Sequence, residues 1–337
     1  MNHPLHPVRR ALRARRKFTA LSMVMLAGLA SMPLAAQTAV WPTQPIRLIV
    51  SQSAGGSIDI AARLLAQRLA EPLGVNVVVD NRPGANGLIA GEAGARATDG
   101  HTFLMTSPSA LAINQHVYKK LPYEVQRDFA AVTQTTSIAF MLAVPVASPY
   151  RTTADLVAAA RARPDAVKYA SAGIGNQSHL AAELLAGAAG ARMLHVPYKG
   201  EAPAITDLVG GQVDFIFGTM PALLAQVRAG KLRALAVAQP NRAAAAPDIP
   251  TTHEQGVSQV DVTGWTGIVA PIAMSPAAIS RMHAEVTRIL QIADVRETLA
   301  KAGAEPVGSS PAQFAAFIRS ETLKWGDAVR RAGIVPE

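Results

Sequence analysis

Two stretches of the chain repeat one construction, a short apolar run, a glycine-rich loop and a helix. The first reads "IRLIV" (46–50), then "SQSAGG", then "SIDIAARLLAQRLAEPL". The second reads "VKYAS" into "AGIGNQ" and then "SHLAAELL", within residues 167–185. A strand that leaves its sheet through a loop into a helix must return to lie parallel to itself, so such units build parallel sheets covered by helices. Two of them in one chain predict two α/β halves, and the same few residues mark where each sheet presents its carboxyl edge.

The rest of the chain follows the same alternation. "VNVVVD" (75–80) and "HTFLMTS" read as strands around the Pro/Gly turn "NRPGANG" and the helix "LIAGEAGARA". In the first helix Ile60, Leu64, Leu65 and Leu69 recur at helical spacing and predict its buried face. The middle adds the strand "AFMLAVPV" (139–146), a helix stopped by Pro164, and the strands "RMLHVPYKG", "VDFIFG" and "LRALAVA" with helices between them. After the strand "GWTGIVAP" only helices are expected, two of them opened by the Ser–Pro pairs Ser275–Pro276 and Ser310–Pro311, which suit an N-cap and first helical residue. The expectation is an α/β fold with a mainly parallel sheet and a cleft between two lobes. Residues 37–138 and 265–337 form lobe 1 and residues 139–264 form lobe 2.

At 337 residues, half of them hydrophobic, the chain is long enough for two cores. Its net charge of +9 first points to nucleic acid. The excess is local, however. Residues 1–36 hold six of the 32 basic residues and no acid, leaving 26 basic against 23 acidic residues in the remainder. That remainder has no basic run and no aromatic–basic interleaving, which argues against a nucleic-acid partner. The basic head runs into "FTALSMVMLAGLASMPLAA", an apolar stretch too short to span a membrane and ending in small residues. It reads as a secretory signal peptide cleaved near Ala36, placing the mature protein in the periplasm. "RRKF" (15–18) also resembles a twin-arginine signal, so the Sec and twin-arginine routes both stay open. No cysteine is present, which excludes thiol chemistry.

The two glycine loops are the candidate site. Glycines let backbone approach a ligand, and the free N–H groups of a helix start attract an anion. Taken singly, each loop reads as a tight strand–helix turn, the first with Ser57 as N-cap. Together, each after the first parallel strand of its lobe, they mark the sheet edge where open α/β folds bind ligands. Neither is a phosphate loop, since no Gly-Lys-Ser/Thr follows, and "SAGGSI" lacks the third glycine of a dinucleotide fingerprint. No GxSxG elbow and no metal-ligand spacing accompanies His179, whose bland role is a hydrogen-bond donor at a helix start. Asp59 reads most simply as a partner for its helix dipole. No cofactor is expected.

Taken in order, the motifs resemble the Bug-type periplasmic substrate-binding receptors of tripartite tricarboxylate transporters. The resemblance is carried by "WPTQPIRLIV", "AGGSIDIAARLLAQRL", "VVVDNRPGANG", "DGHTFLMTS", "LPYEVQRDFAAV", "YASAGIGNQSHLAAELL", "HVPYKGEAPAITDLVGGQVDF", "AGKLRALAV", "WTGIVAP" and "AAFIRSETLKWGDAVRRAGI". It implies a type II periplasmic-binding-protein fold whose two lobes close on a small carboxylate, and a monomer that serves membrane permease subunits. Carried over by motif, the first loop of the site is Ala54, Gly55, Gly56, Ser57 and Asp59. The second is Ser171, Gly173, Gly175, Asn176, Gln177, Ser178 and His179, and Tyr198 and Gly200 fall on a third segment. The chain departs from the family pattern in two places: Ser51, Gln52, Ser53 and Ile58 replace the usual prolines and Thr of the first loop, and Gly218 replaces an acid after "VDFIF". Both departures bear on the ligand rather than the fold.

The expected function is capture of a small carboxylate, a di- or tricarboxylate or an aromatic acid, by backbone N–H groups and hydroxyls. The missing acid at Gly218 predicts a ligand without an amino group. Two alternatives stay open at this point, an enzyme on the same scaffold with His179 and Asp59 as acid and base, and a ligand sensor without transport.

Overall fold

The computed structural model describes residues 41–336, so the leader expected over residues 1–36 lies outside the described residues. The strands are β1 (Ile46–Val50), β2 (Val77–Asn81), β3 (Thr102–Thr106), β4 (Phe129–Pro145), β5 (Lys168–Ser171), β6 (Leu194–Pro197), β7 (Phe215–Thr219), β8 (Leu232–Val237), β9 (Thr263–Pro271) and β10 (Ala304–Pro306). The main helices are α1 (Ser57–Leu73), α2 (Leu88–Ala95), α3 (Thr153–Ala162), α4 (Gln177–Ala189), α5 (Glu201–Val209), α6 (Met220–Arg228), α7 (Pro276–Leu290), α8 (Ala293–Lys301) and α9 (Pro311–Arg331).

The strands run in the order β2-β1-β3-β9-β4-β7-β5-β6, with β8 and β10 also on β4. Each expected strand–loop–helix unit sits in a parallel patch: β1 between β2 and β3, and β5 between β6 and β7. The expectation of a mainly parallel sheet fails between these patches, because every pairing of β4 and β9 is antiparallel. The cause is β4 itself. Its first part, up to Ala139, pairs with β9, and the part from Phe140 pairs with β7 and β8. One 17-residue strand thus passes from the first half into the second, and β9 brings the chain back. Only the end of β4 is visible in the sequence, because Thr133, Thr135 and Thr136 are buried polar residues that blur its apolar pattern. Their hydroxyls are satisfied in place: Thr135 and Thr136 meet Thr266 at 2.6 and 2.7 Å, and Thr133 donates to the Ser309 carbonyl at 2.7 Å.

Helices and sheet enclose apolar clusters on each side of both halves. One joins Ile46, Leu48 and Phe103 to Ile58, Leu65 and Leu69 of α1, and another joins Tyr169, Phe215 and Phe217 to Leu180 and Leu185 of α4. The buried face of α1 is turned from the expected one: Ile58, Ala61, Ala62, Leu65 and Leu69 face the core, while Ile60 is 46% exposed. Two alanines on the inner face let α1 lie close to the strands. Gly74, in the left-handed region, ends it. Ser275 and Ser310 cap α7 and α9 as expected. The tail is not wholly helical, because β10 adds to β4.

Helix α9 binds the halves together. Phe314 and Ile318 pack with Trp265, whereas Trp325 and Val329 belong to the cluster around Tyr169. Between them, the buried Glu321 accepts the indole N–H of both Trp265 and Trp325 at 2.8 Å. No helix among the described residues is long and apolar enough to cross a membrane.

Candidate functional site

The first loop is held by side chains that bond its own backbone. Gln52 Oε1 accepts the Ile58 amide at 3.1 Å, so it caps α1, and the N-cap position falls on Gly56 rather than Ser57. Asp59, one turn into the helix, accepts the Gly55 amide, the Arg63 guanidinium and the Asn81 amide group, each at 2.9 Å. Burial alone would raise its pKa, but bonds from Arg63, Gly55 and Asn81 outweigh it and hold the carboxyl below its ordinary value.

The second loop repeats this geometry with different chemistry. The Gly175 amide donates to His179 Nδ1 at 2.9 Å, the same four-residue step as Gly55 to Asp59. Asn176 caps α4 by accepting the His179 amide at 3.1 Å, and it also accepts the Ser178 hydroxyl at 2.7 Å. Ser178 Oγ in turn accepts the Ala172 amide at 2.9 Å. The His179 ring lies 3.9 Å from that of His195, nearly parallel, and the Tyr169 ring lies roughly parallel to both, 4.8 Å from His195 and 6.1 Å from His179. His195 Nε2 meets Ser171 Oγ at 2.6 Å. Burial lowers the pKa of His179 to about 3, with His195 adding to it, and that of His195 to about 4. Both rings are neutral near neutral pH, and His179 acts as an acceptor rather than the expected helix-start donor. His195, a decisive part of this arrangement, carries no mark in the sequence beyond being a histidine on a strand.

Between the loops lies a cavity of about 250 Å³, continued inward by a smaller one of about 40 Å³. Gly173, Asn176, Tyr198 and Gly200 line the outer part, and Ser57, Asn176, Gln177 and Ser178 the inner part. The other seven expected site residues line neither. Ala54 and Gly55 are exposed, and Gly56, Asp59, Ser171, Gly175 and His179 brace the loops from behind. Residues missed in the sequence include Ser107 and Ser109 after β3, Tyr118, and the turn Pro83–Gly87, in which Asn86 donates to the Ile174 carbonyl across the cleft. "NRPGANG" signals a turn, but nothing local shows that it meets the second loop.

The inner cavity is polar in a directional way. Ser57, Gln177 and Ser178 are first-turn residues of α1 and α4, whose amides have no intrahelical acceptor. No basic side chain lines this part among the described residues; Lys199 stands at the outer part. A carboxylate can be held there by backbone N–H groups and helix dipoles without a countercharge. Glu201 also lines the inner cavity, accepting the Thr219 amide at 2.5 Å and the Thr219 hydroxyl at 2.8 Å. Burial raises its carboxyl pKa to about 7 against the pull of those two bonds. Gly218 therefore does not leave this wall without an acid, and the expectation of a ligand lacking an amino group loses its premise.

Two α/β halves joined by crossing strands, with helix N-termini facing one cavity between them, define a type II periplasmic-binding-protein fold. The chain belongs to the TctC family, "Tripartite tricarboxylate transporter family receptor", whose profile matches residues 61–334. It is 37% identical to Protein BugT of Bordetella pertussis over 92% of this chain and 95% of that one. Among solved structures it is similar to R. palustris Rpa4515 with adipate, at 33% identity and a TM-score of 0.86 over 88% of this chain and all of that one. It is also similar to MatC from Rhodopseudomonas palustris with bound malate, at 29% identity and a TM-score of 0.81 over 86% and 100%. The family is one of solute-binding receptors for carboxylates, not of enzymes.

Proposed function

We propose that the protein is an exported receptor that closes on a small organic acid and delivers it to the membrane permease subunits of a tripartite tricarboxylate-type transporter. The ligand is a di- or tricarboxylate or an aromatic acid. The observation that carries this reading is the convergence of the α1 and α4 N-termini, through Ser57, Gln177 and Ser178, on one cavity without a basic side chain in its inner part. In this reading the leader is cleaved between Ala35 and Val40, lobe 1 comprises residues 37–138 and 265–337, and lobe 2 comprises residues 139–264. The adipate and malate named for the two solved relatives support a carboxylate as cargo. The occupied cleft needs no catalytic base, in keeping with Asp59 and His179 being bonded into their loops.

The test is to denature freshly purified periplasmic protein and identify the released small molecules by mass spectrometry, alongside a thermal-shift panel of succinate, citrate and benzoate. An unmodified carboxylate, or an acid that raises the melting temperature, is expected. Any ligand at about 100 times its Kd adds about 2.7 kcal/mol of stability. Recovery of a chemically converted product, or release of no carboxylate together with no stabilisation by any acid, overturns the reading.

A further inference from the structure

The inner cavity is lined by groups of opposite hydrogen-bonding character. Ser57, Gln177 and Ser178, first-turn residues of α1 and α4, line it together with the carboxyl-bearing Glu201. Ile138, Phe140 and Trp265 add apolar lining. Glu201 is 5% exposed, the first residue of α5, and its two oxygens take the amide and hydroxyl of Thr219, the residue that precedes α6. The protein thus places its own carboxyl where two helix N-termini meet, leaving the α1 and α4 N-termini for an incoming anion. The neighbouring glycine is matched to it. A Cβ at Gly218 would stand 2.8 Å from Glu201 Oε1 and 2.9 Å from Leu223 Cδ1, so a side chain at 218 and the acid at 201 exclude each other as placed.

We propose that Glu201 is the specificity-determining residue of the cleft, selecting an organic acid whose far end carries a hydrogen-bond donor, a hydroxyl or an ammonium, over one that ends in a second carboxylate. This rests on the carboxylate-receptor reading and, within it, disfavours the simple dicarboxylates in favour of acids with a donor at the far end. A second ligand carboxylate facing an ionised Glu201 is repelled in a site that water scarcely reaches, whereas a hydroxyl or ammonium meets an acceptor with lone pairs to spare. The charged and titratable groups on surrounding elements are engaged elsewhere. Asp59 pairs with Arg63 on α1, His179 is a neutral acceptor on α4, and Asp207 on α5 takes the Tyr198 hydroxyl. Lys199 is exposed in the preceding loop, and Glu321 on α9 is bonded to two tryptophans. Burial and the Thr219 bonds alone set the ionisation of Glu201, near pH 7. Discrimination against a second carboxylate is then strong above that pH and relaxed below it.

Calorimetry with succinate, 4-hydroxybutyrate and 4-aminobutyrate tests this on the mature protein and on Glu201→Gln. At pH 8.5 the wild type is expected to prefer the better of the two donor-ended acids to succinate by tenfold or more, and Glu201→Gln to shrink that ratio to within about threefold by gaining succinate affinity. Wild-type succinate affinity should rise about tenfold from pH 8.5 to 6, a measurement that needs no variant. An unchanged ratio in Glu201→Gln, succinate preferred at pH 8.5, or a flat wild-type pH profile overturns the proposal while leaving the receptor reading standing. Failure of all three acids to bind the wild type, together with no released carboxylate, overturns both.

Discussion

The two loops of the cleft share a backbone plan and differ in what holds it. In each, a glycine amide reaches the side chain four residues on, Gly55 to Asp59 and Gly175 to His179, both at 2.9 Å. Both glycines take positive φ, +82° and +71°. Behind the first loop stands a carboxylate with an arginine that is more than half exposed; behind the second stand two neutral, stacked imidazoles, His179 buried and His195 half-buried. A charged clamp tolerates acid until its carboxyl protonates. A neutral aromatic clamp is expected to weaken once its rings take up protons, so the two latches should respond to acid differently.

The sharpest contrast is steric. A Cβ at Gly55 meets nothing within 4 Å, but one at Gly175 comes within 2.6 Å of Val117 Cγ1. Gly55→Ala should cost about 1–2 kcal/mol for the left-handed backbone alone. Gly175→Ala should add overpacking of about 1–3 kcal/mol to that. Equal losses in denaturant melts would break the comparison.

Removing the clamps should rank the same way. His179→Ala deletes a ring from the stack and strands the Gly175 amide, an expected loss of about 2–4 kcal/mol. Asp59→Ala strands the Gly55 amide but frees Arg63 to solvent, and should cost about 1–3 kcal/mol. Chemical denaturation of the two variants side by side checks the order.

Acid should open the second loop first. His179 and His195 titrate in the folded protein below their ordinary value of 6.5, so the unfolded chain binds more protons as pH drops beneath 6.5. Stability is complete above 6.5 and falls toward pH 4 by about 1 kcal/mol per pH unit per ring. Asp59 is also lowered, from 3.8, so its contribution holds above that value and is lost only as pH falls further. Protection of the Gly175 amide against hydrogen exchange should therefore decline between pH 6.5 and 4 while that of Gly55 persists.

The smallest effects concern ligand affinity. Ser178 Oγ ties the Ala172 amide to Asn176, so Ser178→Ala should weaken binding of whichever acid the purified protein releases by about three- to thirtyfold. Ser57 Oγ lies at 3.5 Å from Gln52, a marginal bond, and Ser57→Ala should change affinity by less than about threefold. The reverse order would shift the weight of the site to the first loop.

What the sequence determined by itself was the order of local units. Helix α1 is bounded as read because the glycine loop opens it and Gly74 closes it, and Ser275 and Ser310 cap where Ser–Pro pairs stand. Asn176, Gln177 and Ser178 come forward as candidates because a glycine loop after a parallel strand marks the sheet's carboxyl edge and because their motif matches the family's second loop. Local pattern did not show that the threonines of β4 belong to a buried strand, that Ile60 turns outward, or that His195 stacks on His179. Nor did it show that Glu201, in appearance an ordinary helix-start acid, reaches Thr219 and the cavity. Each of these depends on which strands become neighbours. β6 brings His195 beside the second loop through β5, and β7 brings Thr219 to the start of α5. Periodicity and caps report the hydrogen bonds that a segment makes with itself, whereas strand order and packing decide which distant side chains share a buried space, and that decision set the chemistry of both latches and the acid end of the cleft.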